Sequence, residues 1–326
     1  MACKKKIRIG IIGAGSIGSL FGGYLAYYKT EDFDQEIIFF SRKSHCDAIN
    51  ERGLIIQNKK NTLHISGIKA YENLSKFYEK LGGAYEFNFD YIIISTKSID
   101  LENALKEYKE IIEKSTCIVI LQNGIGNEEL VAKYYKKEKI IRIITSHGAL
   151  LKEPGKILHT GDGFVEIGFP FKNGSKSKLE FLCSFLSLGG LKTNVVENIE
   201  ELIWEKAFVN IAINPLGALT RLDNGELIKN TNILKIMELL IEESVSVSQR
   251  LGIKLPNKNY FKLAKDVAYR TKENKNSMLQ DILRSNPTEI DYLNGKIVEI
   301  ASTLGLATPI NKFITTLIKG LEKSYL

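Results

Sequence analysis

Apolar residues in the first half of the chain fall in short unbroken runs. IRIGIIGAG (7–15), EIIFFSR (36–42), YIIISTK (91–97) and STCIVILQN (115–123) are rich in β-branched side chains and bounded by glycine or polar residues. Runs of this kind read as strands buried on both faces. Weaker strand-like stretches lie at 53–57 and 62–66, and helix-like stretches at 16–29 and 101–113. The alternation predicts a parallel, doubly wound sheet with helices on both faces. IIRIITSHGA (140–149) adds a strand. GKILHTG (155–161) and GFVEIGF (163–169) predict a hairpin around Gly161-Asp162-Gly163, and LKTNVVEN (191–198) a last strand. Further on the period lengthens. Helices are predicted at 199–220, 231–251, 258–271, 288–304 and 309–323, with a polar loop holding one turn of helix at 272–287. The boundary falls at 195–200, which gives an α/β domain over 1–197 and an all-α domain over 198–326.

Composition adds little to this picture but excludes several classes. With 44% hydrophobic and 25% charged residues over 326 positions, the chain is globular and long enough for two cores. The formal charge of +7 is spread along the chain among Asp and Glu. It reads as a solvated lysine-rich surface, and no nucleic-acid recognition motif accompanies it. Cys3, Cys46, Cys117 and Cys183 are far apart and show neither metal nor redox spacing. Cys117, at the head of an apolar strand, is expected to pack as a small hydrophobe. The four histidines form no paired ligand pattern, so no metal is expected. The basic N-terminus leads into a strand and not a signal-peptide core, and no apolar run reaches the roughly 18 residues of a membrane span. These features point to a reduced, cytoplasmic chain without a membrane partner.

Chemistry enters with Gly13-Ala14-Gly15-Ser16-Ile17-Gly18, a GxGxxG turn between the first strand and the first helix. Such a turn lets a pyrophosphate approach the backbone and rest on the helix N-terminus. An acidic residue closing the second strand would favour NAD. Here the strand closes with Ser41-Arg42-Lys43, and a guanidinium beside a hydroxyl and an ammonium suits the 2′-phosphate of NADP. Lys97 and Asn123 follow later strands, at the carboxyl edge where open α/β sheets bind ligands.

Within WEKAFVNIAINPLGALT (204–220), Lys206, Asn210 and Asn214 stand four residues apart and share one helix face. One ammonium and two amides on an otherwise apolar helix need polar partners, which suits a wet cleft gripping a small polar substrate. Pro215 should kink this helix and free the carbonyl of Ile211, with cleft water as its expected partner. Asn286-Pro287-Thr288-Glu289 looks like a helix start, and Glu289 alone would read as a helix-dipole carboxylate.

Taken together, GAGSIG, Lys97, QNG (122–124), SHGA (146–149), KxxxNxxxNP (206–215), NGEL (224–227), SMLQD and TEIDYLNG resemble the ketopantoate reductase family. The resemblance spans the chain; Ser146 stands where threonine is commoner. It implies a Rossmann-type domain that binds NADPH, followed by a helical domain like that of 6-phosphogluconate dehydrogenases, and reduction of ketopantoate on the way to coenzyme A. By position it implies that Lys206 donates a proton to the substrate carbonyl. Asn210, Asn214, Asn224 and Ser277 would contact the substrate, and Asn123 both substrate and cofactor. Lys97, Ala149 and Glu289 would serve the cofactor side or hold the ternary complex, Glu289 counting with Lys206 among the catalytic groups. A reductase of another 2-oxo acid, an opine-type dehydrogenase and a non-enzymatic NADP-binding regulator stay open as alternatives. So does a homodimer, since amphipathic C-terminal helices pack within or between subunits.

Overall fold

The structure, a computed structural model, describes residues 5–29, 31–82 and 87–326, and Cys3 lies outside them. It consists of two compact units, Met1–Gln122 with Asn127–Ile199, and Asn123–Gly126 with Glu200–Leu326. The first holds the strands β1 (Lys5–Ile12), β2 (Phe33–Phe40), β3 (Leu54–Gln57), β4 (Thr62–Ile65), β5 (Lys69–Tyr71), β6 (Tyr91–Ile94), β7 (Cys117–Ile120), β8 (Ile140–Thr145), β9 (Gly148–Glu153), β10 (Lys156–Gly161), β11 (Val165–Gly168) and β12 (Thr193–Val195). Eight of them form one sheet in the order β12-β11-β8-β7-β6-β1-β2-β5, and the others a small sheet in the order β4-β3-β10-β9. From β5 to β8 every neighbour in the large sheet is parallel, while β11 runs antiparallel to β8.

The period-2 geometry of strands divides the apolar runs between two cores. Ile7, Ile9 and Ile11 of β1, with Ile37, Phe39, Ile93 and Val119, pack under the helices Ser16–Tyr27 and Lys176–Leu188 and the small sheet. Ile12, Ile38, Phe40, Ile92, Ile94, Ile118 and Ile120 pack under Leu74–Lys80, Leu101–Glu107 and Lys109–Lys114. Burial on both faces explains why the strands read as continuous hydrophobic runs. Cys117 packs in the first core, where burial pushes its thiol up to about 11.

The expected hairpin at 155–169 does not form. β10 pairs with β9 and β3 in the small sheet, whereas β11 pairs with β8 and β12 in the large one. The reversal lies one strand earlier, at Gly155, whose φ of 78° suits a tight turn. Gly163 instead packs against the backbone of Ser146 and His147, so the glycine pair marks a crossing between sheets. For the same reason the single strand expected at 140–149 is two, β8 and β9, in different sheets.

A histidine ties the small sheet to the first helix. His45, on the helix Lys43–Arg52, is only 2% exposed. Gly155 N–H donates to its Nδ1 at 2.9 Å, so the ring proton sits on Nε2, 2.9 Å from Ser19 Oγ. Burial holds its pKa down from 6.5 to about 4.

In the second unit the helices are Ile199–Thr220, Thr231–Arg250, Tyr260–Arg270, Ser277–Leu283, Asn294–Thr303 and Pro309–Glu322, with a short Asn224–Leu227. The helix Ile199–Thr220 runs unbroken through Pro215. The Ile211 carbonyl that the proline leaves free accepts from Asn294 Nδ2 at 3.3 Å, so a side chain takes the place of the expected water. Asn294 also donates to Asn311 Oδ1 (3.0 Å), and Asn311 in turn to Leu240 O (3.2 Å) and Glu243 (2.8 Å). The helix expected at 288–304 opens as a 3-10 turn, Ile290–Tyr292, and restarts at Asn294 because Leu293 leaves helical geometry (φ −116°, ψ −101°).

His45 makes stability depend on pH with a definite sign. Above pH 6.5 the ring is neutral in both states; below it the unfolded chain takes up a proton that the folded protein refuses until about pH 4. Stability should therefore fall as pH drops through this window, by about 3 kcal/mol for this group. Urea midpoints measured from pH 7 to pH 4 check this: His45→Gln, which cannot titrate, should flatten the decline, and an unchanged slope would contradict it.

Candidate functional site

Gly13 to Gly18 close β1 and open the helix Ser16–Tyr27. Gly13 and Ala14 donate their N–H groups to Phe40 O (3.0 and 3.1 Å), which holds the turn against the end of β2. The glycines have different reasons. Gly13 has φ 77°, and a Cβ there would lie 2.6 Å from Thr96 N; at Gly18 it would run into Ser95 Oγ. Gly15 has no such reason, since the nearest atom to its Cβ position is Gly13 O at 3.8 Å. The space beside it is open, at a helix N-terminus that has no side-chain cap and no acidic residue in its first turn. Uncapped N–H groups and an open approach make an anion cradle. Ala14 and Ile17 pack into the core, and Ser16 Oγ accepts the Leu151 N–H of β9 at 2.9 Å. Ala149, two residues along β9 from Leu151, packs on the same core.

Beside the turn is a cavity of about 260 Å³, lined by Gly13, Phe40, Ser41, Thr96, Asn103 and Tyr108 among others. It lies at the carboxyl ends of β1, β2 and β6, where the strand order reverses direction, as ligand sites of open α/β sheets do. Of the three groups expected to hold a 2′-phosphate, two are engaged elsewhere. Ser41 Oγ donates to Ala14 O (3.0 Å), and Lys43 Nζ pairs with Asp47 (2.6 Å). Arg42, exposed at the start of the following helix, keeps its guanidinium without an ion pair among the described residues. Lys97, half-buried, extends from the end of β6, and its carbonyl accepts from Gln122 Nε2 at 3.3 Å.

The small sheet also joins two histidines that spacing along the chain conceals. His147 Nδ1 lies 3.0 Å from His159 Nε2 and accepts from Gly163 N–H at 3.2 Å, while His159 Nδ1 lies 2.9 Å from Tyr24 Oη. Gly163 requires a lone pair on His147 Nδ1. The shared proton thus belongs to His159 Nε2, Tyr24 donates to His159 Nδ1, and both rings are neutral. Burial, and then His159, push His147 down to about 4. With Asp162 the pair forms a group whose ligand atoms lie within 4.8 Å of one another. The two facing nitrogens are, however, already bridged by a proton, and Asp162 is exposed.

In the second unit the stripe of Ile199–Thr220 meets the start of Ser277–Leu283. Asn214, 6% exposed, lies with its Nδ2 3.5 Å from Ser277 Oγ; Lys206 and Asn210 are half-buried on the same face. Asn224 donates to Thr271 Oγ1 (2.9 Å) and accepts from Asn276 Nδ2 (3.5 Å). Asn276 caps the helix by accepting Leu279 N–H (2.9 Å) and donates to Ile213 O (3.4 Å). Gly217 makes room for the Asn276 amide, against which a Cβ would collide. Sequence reasoning missed Asn276 and Gly217, although an Asn directly before Ser277 is an N-cap signal. The segments that carry Asn123 and Glu289 meet where Ile125 N–H donates to Tyr292 O (3.2 Å), at the far end of the 3-10 turn that follows Glu289.

Comparison with known proteins fits this arrangement. Residues 9–170 match the profile described as ketopantoate reductase PanE/ApbA, and residues 198–322 that of its C-terminal domain. The 2-dehydropantoate 2-reductase of Pyrococcus horikoshii is 37% identical over 97% of this chain and 98% of its own. The chain belongs to the ketopantoate reductase family. Its fold is shared by a family ketopantoate reductase from Ralstonia eutropha (TM-score 0.86, 26% identity, 98% and 99% coverage). A D-mandelate dehydrogenase solved with NADH and anilino(oxo)acetate is equally similar (TM-score 0.86, 28% identity, 98% and 99% coverage). Ketopantoate reductases are nicotinamide-dependent oxidoreductases acting on a CH–OH group, and the small-molecule chemistry expected here agrees with that.

The unequal reasons for the glycines give a test of the cradle in this family member. Gly15→Ala should fold with a thermal midpoint within about 2 °C of wild type yet lose dinucleotide binding, whereas Gly18→Ala should lower the midpoint by several degrees. Thermal melts with and without dinucleotide distinguish the two, and a Gly15→Ala protein that binds normally would remove the cradle.

Proposed function

We propose that the protein reduces 2-dehydropantoate to (R)-pantoate with NADPH, a step of pantothenate and coenzyme A synthesis. The observation that carries this reading is the Lys206–Asn210–Asn214 face meeting Ser277, an ammonium and three neutral hydrogen-bonding groups suited to a small hydroxylated 2-oxo acid. The cradle at Gly15, the 260 Å³ cavity and the exposed Arg42, without an ion pair among the described residues, fit a dinucleotide with a 2′-phosphate.

A bound reduced nicotinamide supplies the hydride. Lys206 holds the proton for the C2 oxygen and stabilises the charge that develops there. The amides of Asn210 and Asn214 donate and accept, which orients the hydroxyl and carboxylate. Asn224, held by Thr271 and Asn276, and Ser277 complete the grip on the substrate. Asn123, Lys97, Ala149 and Glu289 serve the cofactor side, Glu289 together with Lys206 closest to the chemistry. The amphipathic C-terminal helices are compatible with a homodimer.

A second reading has its own support: the similarity to the NADH-bound D-mandelate dehydrogenase favours a reductase of another 2-oxo acid working with NADH. Loss of nicotinamide absorbance with ketopantoate or phenylglyoxylate, and NADPH or NADH in parallel, separates the two. Fast oxidation of NADPH with ketopantoate is expected. Lys206→Ala should lower kcat by about 10²–10⁴-fold in a folded protein. Arg42→Ala should raise KM for NADPH about tenfold and leave that for NADH unchanged, as loss of a charge-assisted hydrogen bond requires. Equal losses for both cofactors would remove the phosphate role of Arg42.

A further inference from the structure

We infer that His45 is a positioning residue for the glycine turn, acting through Ser19 on the carbonyl of Ala14. The inference rests on the reading of that turn as the pyrophosphate site. The direction of each bond follows from the chemistry of its atoms. Gly155 N–H occupies the Nδ1 lone pair, so His45 Nε2 carries the proton and donates to Ser19 Oγ (2.9 Å). The Ser19 hydroxyl then sends its own proton to Ala14 O (2.9 Å), where Ser41 Oγ donates as well (3.0 Å). His45, Ser19 and Ala14 are 2%, 0% and 0% exposed, so no water substitutes for a missing member.

The carbonyl matters because the peptide that joins Ala14 to Gly15 is planar, and its oxygen and N–H point opposite ways. The buried Ser19 hydroxyl and the half-buried Ser41 hydroxyl hold the oxygen on the protein side, Gly15 N–H is bonded to Gly13 O (2.6 Å), and the open side beside Gly15 stays clear of the Ala14 oxygen. Were this peptide to rotate, a partial negative charge would face the place where phosphate oxygens rest. The same histidine donates its backbone N–H to Arg42 O (2.9 Å), one helical turn from the guanidinium that suits the 2′-phosphate. Through its side chain His45 thus connects the reversal at Gly155 with the glycine turn. Nothing in its spacing from GAGSIG reveals this.

The test compares NADPH dissociation constants, kcat at saturating NADPH and thermal midpoints for wild type, Ser19→Ala, His45→Leu, His45→Gln and the Ser19→Ala/His45→Leu double variant. Ser244→Ala serves as control, because it deletes an equally buried hydroxyl-to-carbonyl bond (Ser244 Oγ to Leu240 O, 2.7 Å) in the second unit. Ser19→Ala and His45→Leu should each weaken NADPH binding about 5- to 20-fold at unchanged saturated kcat, and the double variant no more than the worse single one. Gln at position 45 reproduces the donor to Ser19 and should restore binding to within about threefold. Ser244→Ala should leave binding unchanged. Ser19→Ala protein that binds NADPH as wild type does, or a weakening matched by Ser244→Ala, overturns the inference while the cofactor reading stands. Wild type that binds no dinucleotide overturns both.

Discussion

β1 lies inside the sheet and from Ile9 to Ile12 has neither face open to water, so its backbone must pair with β2 and β6 and its side chains must pack into two separate cores. Alternate residues along one eight-residue strand meet these demands, with Ile7, Ile9 and Ile11 on one side and Ile12 on the other. A strand so placed ends where the strand order reverses, and the chain must turn there in very little space. Gly13 and Gly18 answer to that crowding. Gly15 does not, and the space beside it is not required by the fold.

The polar side chains that hold the two candidate sites in place are matched, atom by atom at their key contacts, with partners of definite donor or acceptor character. Burial lowers the pKa of His45, His147 and His159, and N–H groups of Gly155 and Gly163 and the hydroxyl of Tyr24 occupy their lone pairs. In the helical unit Pro215 removes a donor, and Asn294 supplies it from another helix. Asn276 does the same kind of service beside the stripe, where Gly217 admits its amide against the helix. Asn214 and Asn224 are therefore held by a second set of amides and hydroxyls, which keeps their side chains oriented.

Much of this was legible along the chain because it depends on neighbours in sequence. Continuous β-branched runs, the GAGSIG turn and the i, i+4, i+8 spacing of Lys206, Asn210 and Asn214 are local patterns, and strand, turn and helix geometry translate them directly. The hairpin at 155–169 was misread because a glycine pair signals a turn but not which strand lies across it. Whether β10 pairs with β9 or with β11 depends on which sheet each strand joins. The group around Arg42 shows a similar limit of the sequence: Ser41 and Lys43 are adjacent to it, yet their partners, Ala14 O and Asp47, are found only once the turn and helix have folded.

Long-range pairing decided the rest. His45 and Ser19 are 26 residues apart, His147 and His159 meet across β9 and β10, and Asn276 reaches a carbonyl 63 residues earlier. No period or spacing encodes such contacts, since each requires two elements to dock before either side chain has a partner. The sequence by itself determined the two-part architecture, the glycine turn and the shared helix face of Lys206, Asn210 and Asn214, because hydrophobic period and local spacing act within a few residues. Only the tertiary structure decided which polar groups remain available to a ligand and which are used up in holding the site, because a hydrogen bond belongs to whichever partner the packing brings within about 3 Å.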